Sequence, residues 1–237
     1  MVATLTWHGH SAFELITDHA HVLIDPFISG NPMAKAAPAD LHPTTILLTH
    51  AHNDHVGDTV SIARRTGAMV IATAELAGWL GEQGVENSAA GNHGGTVAFT
   101  GGSAKFVPAW HTSSYSTPDG VVAPGVPAGF VVRVDELALY FAGDTGLFLD
   151  MQLIGEEGLD LAVLPIGDNF TMGPVDALRA VKFLNCGAVI PCHYNTFPLI
   201  EQDAQAFKTK VESLTDTLVT IPEIGVPLPI VRRSEAR

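Results

Sequence analysis

Apolar and polar positions alternate with period two through the first 25 residues: Leu5 and Trp7, then Phe13–Ile16, then His21–Asp25. That alternation predicts two or three antiparallel strands turning at Thr17-Asp18-His19. Residues 26–43 are rich in Pro and Ala and read as a loop over one end of the sheet. Thr45 to Thr49 is a short apolar run, the pattern of a buried strand. The spacing then turns helical from Thr59 to Thr66, with Gly67 as the stop. A strand over Ala68–Ala72 and a helix over Ala74–Leu80 follow.

Strands are predicted again at Thr96–Phe99, Ala104–Pro108, Gly129–Val134 and Ala138–Ala142. Beyond them strand and helix alternate: helix Leu149–Glu157, strand Leu161–Leu164, helix Val175–Leu184, strand Ala188–Ile190, helix Gln202–Leu214, strand Leu218–Ile221. A strand-rich opening followed by βα units, twice over, fits an α/β fold of two packed sheets with helices outside. One domain spanning 1–237 accommodates the pattern. Thr112 to Ala128, rich in Ser, Pro and Gly, reads as a mobile loop.

Composition narrows the function classes. The chain has 12 Lys and Arg against 25 Asp and Glu, a net charge of −13. A field of that sign repels polyanions, so no nucleic-acid partner is expected. No apolar run reaches the 18 or so residues of a membrane helix. The N-terminus lacks the basic and apolar segments of a secretory leader, so a cytoplasmic location is expected. Cys186 and Cys192 bracket an apolar strand that holds them about 20 Å apart, too far for a disulfide. Both are read as reduced, buried thiols. The partner expected is a small-molecule substrate, and homo-oligomerisation stays open.

The chemistry concentrates at residues 49–58, Thr-His-Ala-His-Asn-Asp-His-Val-Gly-Asp. In an extended segment His50 and His52 point to one side and can share a metal. Asp54 and His55, adjacent where the chain turns into a helix, can face a second. Imidazole and carboxylate suit zinc, with manganese or iron as alternatives. A single histidine at a strand end would be an ordinary surface residue, and Asp54 alone an ordinary helix cap. Three histidines and one aspartate at this spacing are not.

His50-Ala51-His52-Asn53-Asp54-His55 resembles the signature of the metallo-β-lactamase superfamily. The resemblance implies an αββα four-layer sandwich, two mixed β-sheets packed together with helices outside. It also implies three later ligands, for which the chain offers His111 in Ala109-Trp110-His111, Asp144 in Phe141-Ala-Gly-Asp-Thr-Gly146 and His193 in Pro191-Cys-His-Tyr194. By resemblance, His50, His52 and His111 would hold one metal, Asp54, His55 and His193 the other, and Asp144 would bridge two divalent ions. Gly9-His-Ser-Ala-Phe13, Leu164-Pro-Ile-Gly-Asp168, Thr171-Met-Gly-Pro174 and His193-Tyr-Asn-Thr-Phe-Pro198 extend the match. They resemble a family of small metal-dependent hydrolases similar to the L-ascorbate-6-phosphate lactonases and, more distantly, to the phospholipases that cleave N-acyl-phosphatidylethanolamine.

Asp25 resembles the superfamily's early aspartate that supports the ligands; read alone it is a turn aspartate before Pro26. His10, Asn195 and Thr196 are candidate substrate contacts, and packing is the alternative for His10. His19, His21 and His42 read as solvated turn residues. Hydrolysis of a small ester-like substrate, a lactone or phosphodiester, is the implied reaction, with Asp54 orienting a hydroxide held between the metals. A mononuclear iron oxygenase of the same fold or a non-catalytic metal-binding protein are the rival readings. An electron-transferring di-iron relative would carry Glu in place of His52.

Overall fold

The structure, a computed structural model, describes residues 3–233. Met1 and Val2, which open the segment read above for a leader, and residues 234–237 lie outside the described residues.

Strands β1 (Thr4–Trp7), β2 (Phe13–Ile16) and β3 (His21–Ile24) form an antiparallel meander, with Trp7 opposite Phe13 and Phe13 opposite Ile24. The turn into β3 closes because Thr17 Oγ1 accepts from the backbone N–H of His19 and Ala20. β4 (Thr45–Leu47) adds parallel to β3 and leads through α1 (Asn53–Val56) and α2 (Thr59–Thr66) to β5 (Met69–Thr73). α3 (Ala74–Glu82) then delivers β6 (Ser88–Gly91), parallel to β5. β7 (Thr96–Phe99) and β8 (Gly102–Pro108) begin the second sheet, and β9 (Tyr115–Thr117) and β10 (Gly120–Val122) make a separate hairpin. β11 (Ala128–Val134) and β12 (Leu137–Phe141) continue the antiparallel part. α4 (Met151–Gly155), β13 (Leu161–Pro165), α5 (Pro174–Leu184), β14 (Ala188–Cys192), α6 (Ala204–Leu214) and β15 (Leu218–Val219) complete it in parallel. β16 (Leu228–Pro229) returns to the open edge of β1.

The sheets run β16-β1-β2-β3-β4-β5-β6 and β15-β14-β13-β12-β11-β8-β7. Period-two alternation sorts their side chains between two cores. Val22, Ile24, Leu47 and Ile71 face the second sheet, where Phe106, Phe130 and Phe141 meet them. Leu23, Ile46, Leu48, Val70 and Ala72 point the other way, onto Ile62 and Ala63 of α2 and Leu76, Ala77 and Leu80 of α3. α4, α5 and α6 cover the outer face of the second sheet through Ile154, Ala177, Val181 and Phe207. The result is the αββα sandwich.

Four strands escaped the periodicity. β6 is Ser-Ala-Ala-Gly, without a β-branched or aromatic residue, and is a strand because β5 templates it. The two-residue β16 is likewise made by its partner. The stretch 112–128, expected as a mobile loop, contains the β9–β10 hairpin, anchored where Tyr115 packs on Trp79 of α3 with ring centroids 4.7 Å apart. No helix among the described residues is long and apolar enough to cross a membrane.

β1, β3 and β4 run in one direction, as do β8, β12, β13 and β14. Their C-terminal ends meet at one rim of the sandwich, and the candidate metal ligands lie there.

Candidate metal centre

At the end of β4 the chain leaves the sheet as Thr49–His55 and is fastened to the end of β3. Asp25 accepts from the Thr49 amide at 2.8 Å and from Thr49 Oγ1 at 2.6 Å, and His55 Nδ1 lies 2.8 Å from its second oxygen. Asp25 therefore fixes the His55 ring with Nε2 turned into the site. Gly57 closes the segment at φ +43, where a Cβ would stand 2.4 Å from the Pro26 carbonyl oxygen and 2.6 Å from Phe27 Cα. Only glycine lets the loop lie this close to the exit of β3.

The ring nitrogens of His50, His52 and His111 all lie within 4.8 Å of one another. His50 Nε2 is 2.9 Å and His111 Nε2 3.3 Å from His52 Nδ1. Thr49 Oγ1 gives its proton to Asp25, so it accepts from His50 Nδ1 at 3.0 Å and leaves His50 Nε2 as a lone-pair donor. A second group gathers His10, Asp54, His55 and His193, again within 4.8 Å. Asp144 reaches both: its Oδ2 is 3.0 Å from His193 Nε2, 3.4 Å from His55 Nε2 and 3.6 Å from His111 Nε2.

The electrostatics suit cation binding. Burial, with the neighbouring His55, pushes His50 well below the usual imidazole range, and burial lowers His52 and His111 as well. These three rings are neutral at pH 7, the form in which an imidazole can hold a metal. Burial disfavours the Asp144 carboxylate, but His193 and His55 outweigh it and hold its pKa well below the ordinary range. Burial opposes charge on His55 too, and there Asp144 and Asp25 prevail and raise it. In this arrangement His55 Nε2 and Asp144 Oδ1 are buried without hydrogen-bond partners, although the two side chains are within ion-pair distance. Unsatisfied buried polar atoms are costly. A divalent cation satisfies both, so the residues present fit the metals the sequence implies.

Three expected substrate contacts stand elsewhere. His10 is fully buried, with Nδ1 3.0 Å from Thr196 Oγ1 and Nε2 3.2 Å from Asp54 Oδ2. Burial lowers its pKa to about 4, so the ring is neutral. A neutral ring has one proton; given to the anionic carboxylate, it leaves Nδ1 as an acceptor facing the Thr196 hydroxyl, which also reaches Met33 Sδ at 3.3 Å. His10 and Thr196 thus lie beneath Asp54, outside the lining of the cavity. Asn195 is turned outward, its Oδ1 accepting from the Gln202 amide at 2.8 Å. The left-handed φ values of His193 (53°) and Asn195 (58°) swing the chain so that Phe197 takes that place.

The cavity over the site has a volume of about 440 Å³ and is lined by His52, Asp54, His111, Thr112, Asp144, Phe170, His193 and Phe197. Sequence reasoning missed Phe170, although Asp168 and Thr171-Met-Gly-Pro174 bracket it; Phe197 stands in the His193–Pro198 stretch that the sequence singles out. The structure also leaves Cys186 and Cys192 free and buried.

Known proteins are similar to this chain in sequence and in fold. The family model for the β-lactamase superfamily domain matches residues 20–194. A UPF0173 metal-dependent hydrolase of Methanopyrus kandleri is 48% identical over 223 residues, covering 93% of this chain and 97% of its own. The chain belongs to this family of metal-dependent hydrolases. A Thermus thermophilus UPF0173 hydrolase is 51% identical over 199 residues, covering 84% of this chain and 87% of its own. Among solved structures, the metallo hydrolase Igni18 from Ignicoccus hospitalis superposes with a TM-score of 0.87 at 39% identity, covering 96% of this hydrolase and 98% of Igni18. The match to the family model starts just before β3 and stops just after His193, so it contains all seven proposed donors but leaves out His10 and Thr196.

Proposed function

We propose that this hydrolase works with two divalent ions, zinc first and manganese or iron as alternatives, on a small ester-like molecule, a lactone or phosphodiester. His50, His52 and His111 would hold one ion, Asp54, His55 and His193 the other, and Asp144 both. The observation that carries the reading is the position of Asp144 Oδ2, within 3.6 Å of ring nitrogens from both groups. Bound divalent ions supply Lewis acidity, which acidifies water and draws charge from a substrate oxygen.

The chain's own groups do the rest. His10 engages Asp54 Oδ2 and leaves the other carboxylate oxygen free; with its pKa held below the usual range, Asp54 is an acceptor that can orient attacking water. Asp25 and Thr49 hold the rings of His55 and His50 from behind. Thr112 lines the cavity with Oγ1 3.4 Å from His52 Nε2, placed to contact a substrate oxygen. A mononuclear oxygenase would leave the second group without work. A cytoplasmic setting belongs to the same proposal, supported by the free cysteines.

The test is elemental analysis after purification, with turnover measured on bis(p-nitrophenyl) phosphate, simple lactones and structured RNA. About two metals per chain and turnover of one of the small esters is the expected result. One tightly held iron with no gain on adding zinc or manganese, or efficient RNA processing without ester hydrolysis, would overturn it.

A further inference from the structure

The cavity is polar on one side only. His52, Asp54, His111, Asp144 and His193 make the metal side, and Phe170 and Phe197 face open space beside them. Phe170 is 54% exposed and Phe197 37% exposed. Single exposed apolar residues are ordinary on protein surfaces. Two aromatic rings at the mouth of the cavity that holds the metal ligands are a different matter, because water there is displaced only by a ligand.

Both rings are held in place. Phe197 meets His10 edge-on, with centroids 5.5 Å apart, so it is tied to the ring beneath Asp54. Phe170 sits at the tip of a tight turn in which Asp168 (φ 60°) and Asn169 (φ 51°) are both left-handed. Such conformations cost energy and persist only where the surroundings impose them. Here the Asp168 amide donates to the Met172 carbonyl and the Met172 amide to the Thr145 carbonyl. Thr145 is fully buried and directly follows Asp144. The strained turn therefore sets Phe170 at a fixed place relative to the bridging carboxylate.

The second half of the observation is charge. No lysine or arginine is among the residues lining the cavity. An anionic group on the substrate remote from the reacting bond would find no cationic side chain there, in a protein whose net charge is −13.

We propose that Phe170 and Phe197 form an apolar clamp, and that the substrate carries an uncharged apolar group beside its scissile bond rather than a second anionic one. This rests on the metal-site reading above and narrows it: an ester or phosphodiester with a hydrocarbon or aromatic arm fits, and a phosphorylated lactone does not.

The experiment is calorimetric titration of the metal-loaded hydrolase with three non-hydrolysable probes, methylphosphonate, phenylphosphonate and 3-phosphonopropionate. Phenylphosphonate should bind about tenfold more tightly than methylphosphonate, the order expected for one ring leaving water against two others. The anionic arm of 3-phosphonopropionate should bring no gain. In a Phe170→Ala, Phe197→Ala double variant of unchanged metal content, the phenyl advantage should shrink to about twofold or less. Equal binding of phenyl- and methylphosphonate, tightest binding of 3-phosphonopropionate, an undiminished advantage in the double variant, or no binding of any probe would overturn the clamp. Because these probes are not turned over, selective phenyl binding without hydrolysis of any ester would reject the proposed reaction and leave the clamp standing.

Discussion

Each sheet starts as an antiparallel meander and continues as parallel βα units, yet the two feed the site differently. The first supplies four proposed donors from one short turn, His50, His52, Asp54 and His55 at the end of β4. The second supplies His111, Asp144 and His193 singly, from the ends of β8, β12 and β14. In the first sheet local chain geometry brings donors together. In the second, donors far apart in sequence meet only because the sheets are packed through Phe106, Phe130 and Phe141. The same centre thus depends on a local motif and on global packing.

The largest expected effect comes from breaking the link between the two. Asp144→Ala removes the carboxylate that touches both groups and leaves the turn of the first sheet whole. It should lose about one metal equivalent and about a thousandfold or more in turnover while the far-ultraviolet dichroism stays native. Full metal occupancy in a folded Asp144→Ala protein would falsify the bridging role.

A smaller, more discriminating pair are the glycines that position the two kinds of loop. Gly57→Ala drives a Cβ into the backbone of Pro26 and Phe27 and so displaces the turn that carries four donors. Gly143 (φ +61) would bring a Cβ to 2.8 Å from Thr49 Cβ, straining the loop that carries Asp144 alone. Gly57→Ala should cost about 3 kcal/mol and most of the metal, Gly143→Ala about 1–2 kcal/mol and part of it. Urea midpoints with metal analysis would check this; equal losses from both would mean that loop density is irrelevant.

The same contrast explains what the sequence revealed. The turn of the first sheet is legible because its donors are neighbours, and the alternation of β1 to β3 is legible because one face of each strand is buried. His111, Asp144 and His193 are ordinary residues after ordinary strands, recognisable only through resemblance, since nothing local says where β8, β12 and β14 end in space. β6, β16 and the β9–β10 hairpin were illegible because their order comes from partners. His10 stayed open between substrate contact and packing for a similar reason: its left-handed φ of 53° and its bond to Thr196, 186 positions away, are tertiary facts. Phe170 carries no chemical signature at all until the cavity exists.

The smallest effect separates two charge clusters in the antiparallel parts of the sheets, neither of which contains a proposed donor. Glu14 of β2 has His21 Nε2 2.7 Å from one oxygen and His8 Nε2 3.4 Å from the other. Glu157, beyond α4, joins Lys105 of β8 at 2.5 Å and Arg133 of β11 at 2.8 Å. Burial raises the Glu14 pKa, but the two imidazoles outweigh it and hold it at about 2, against 4.5 ordinarily. Lys105 and Arg133 hold Glu157 below the usual range as well, in a more exposed setting. A carboxylate whose folded pKa is depressed stabilises the protein above its unfolded pKa, and the benefit fades as pH falls towards the folded value. Glu14→Gln should therefore cost about 2 kcal/mol near pH 6, with the gap to wild type narrowing steadily from about pH 4.5 down to pH 3. Glu157→Gln should cost less than about 1 kcal/mol, most of it removed by about 0.5 M salt, because exposed ion pairs are screened. Urea midpoints at pH 6, 4 and 3, with and without salt, measure both. A Glu14→Gln gap that stays constant from pH 6 down to pH 3 would show that folding leaves the Glu14 pKa where it is in the unfolded chain, and the two histidines would then not stabilise its ionised form.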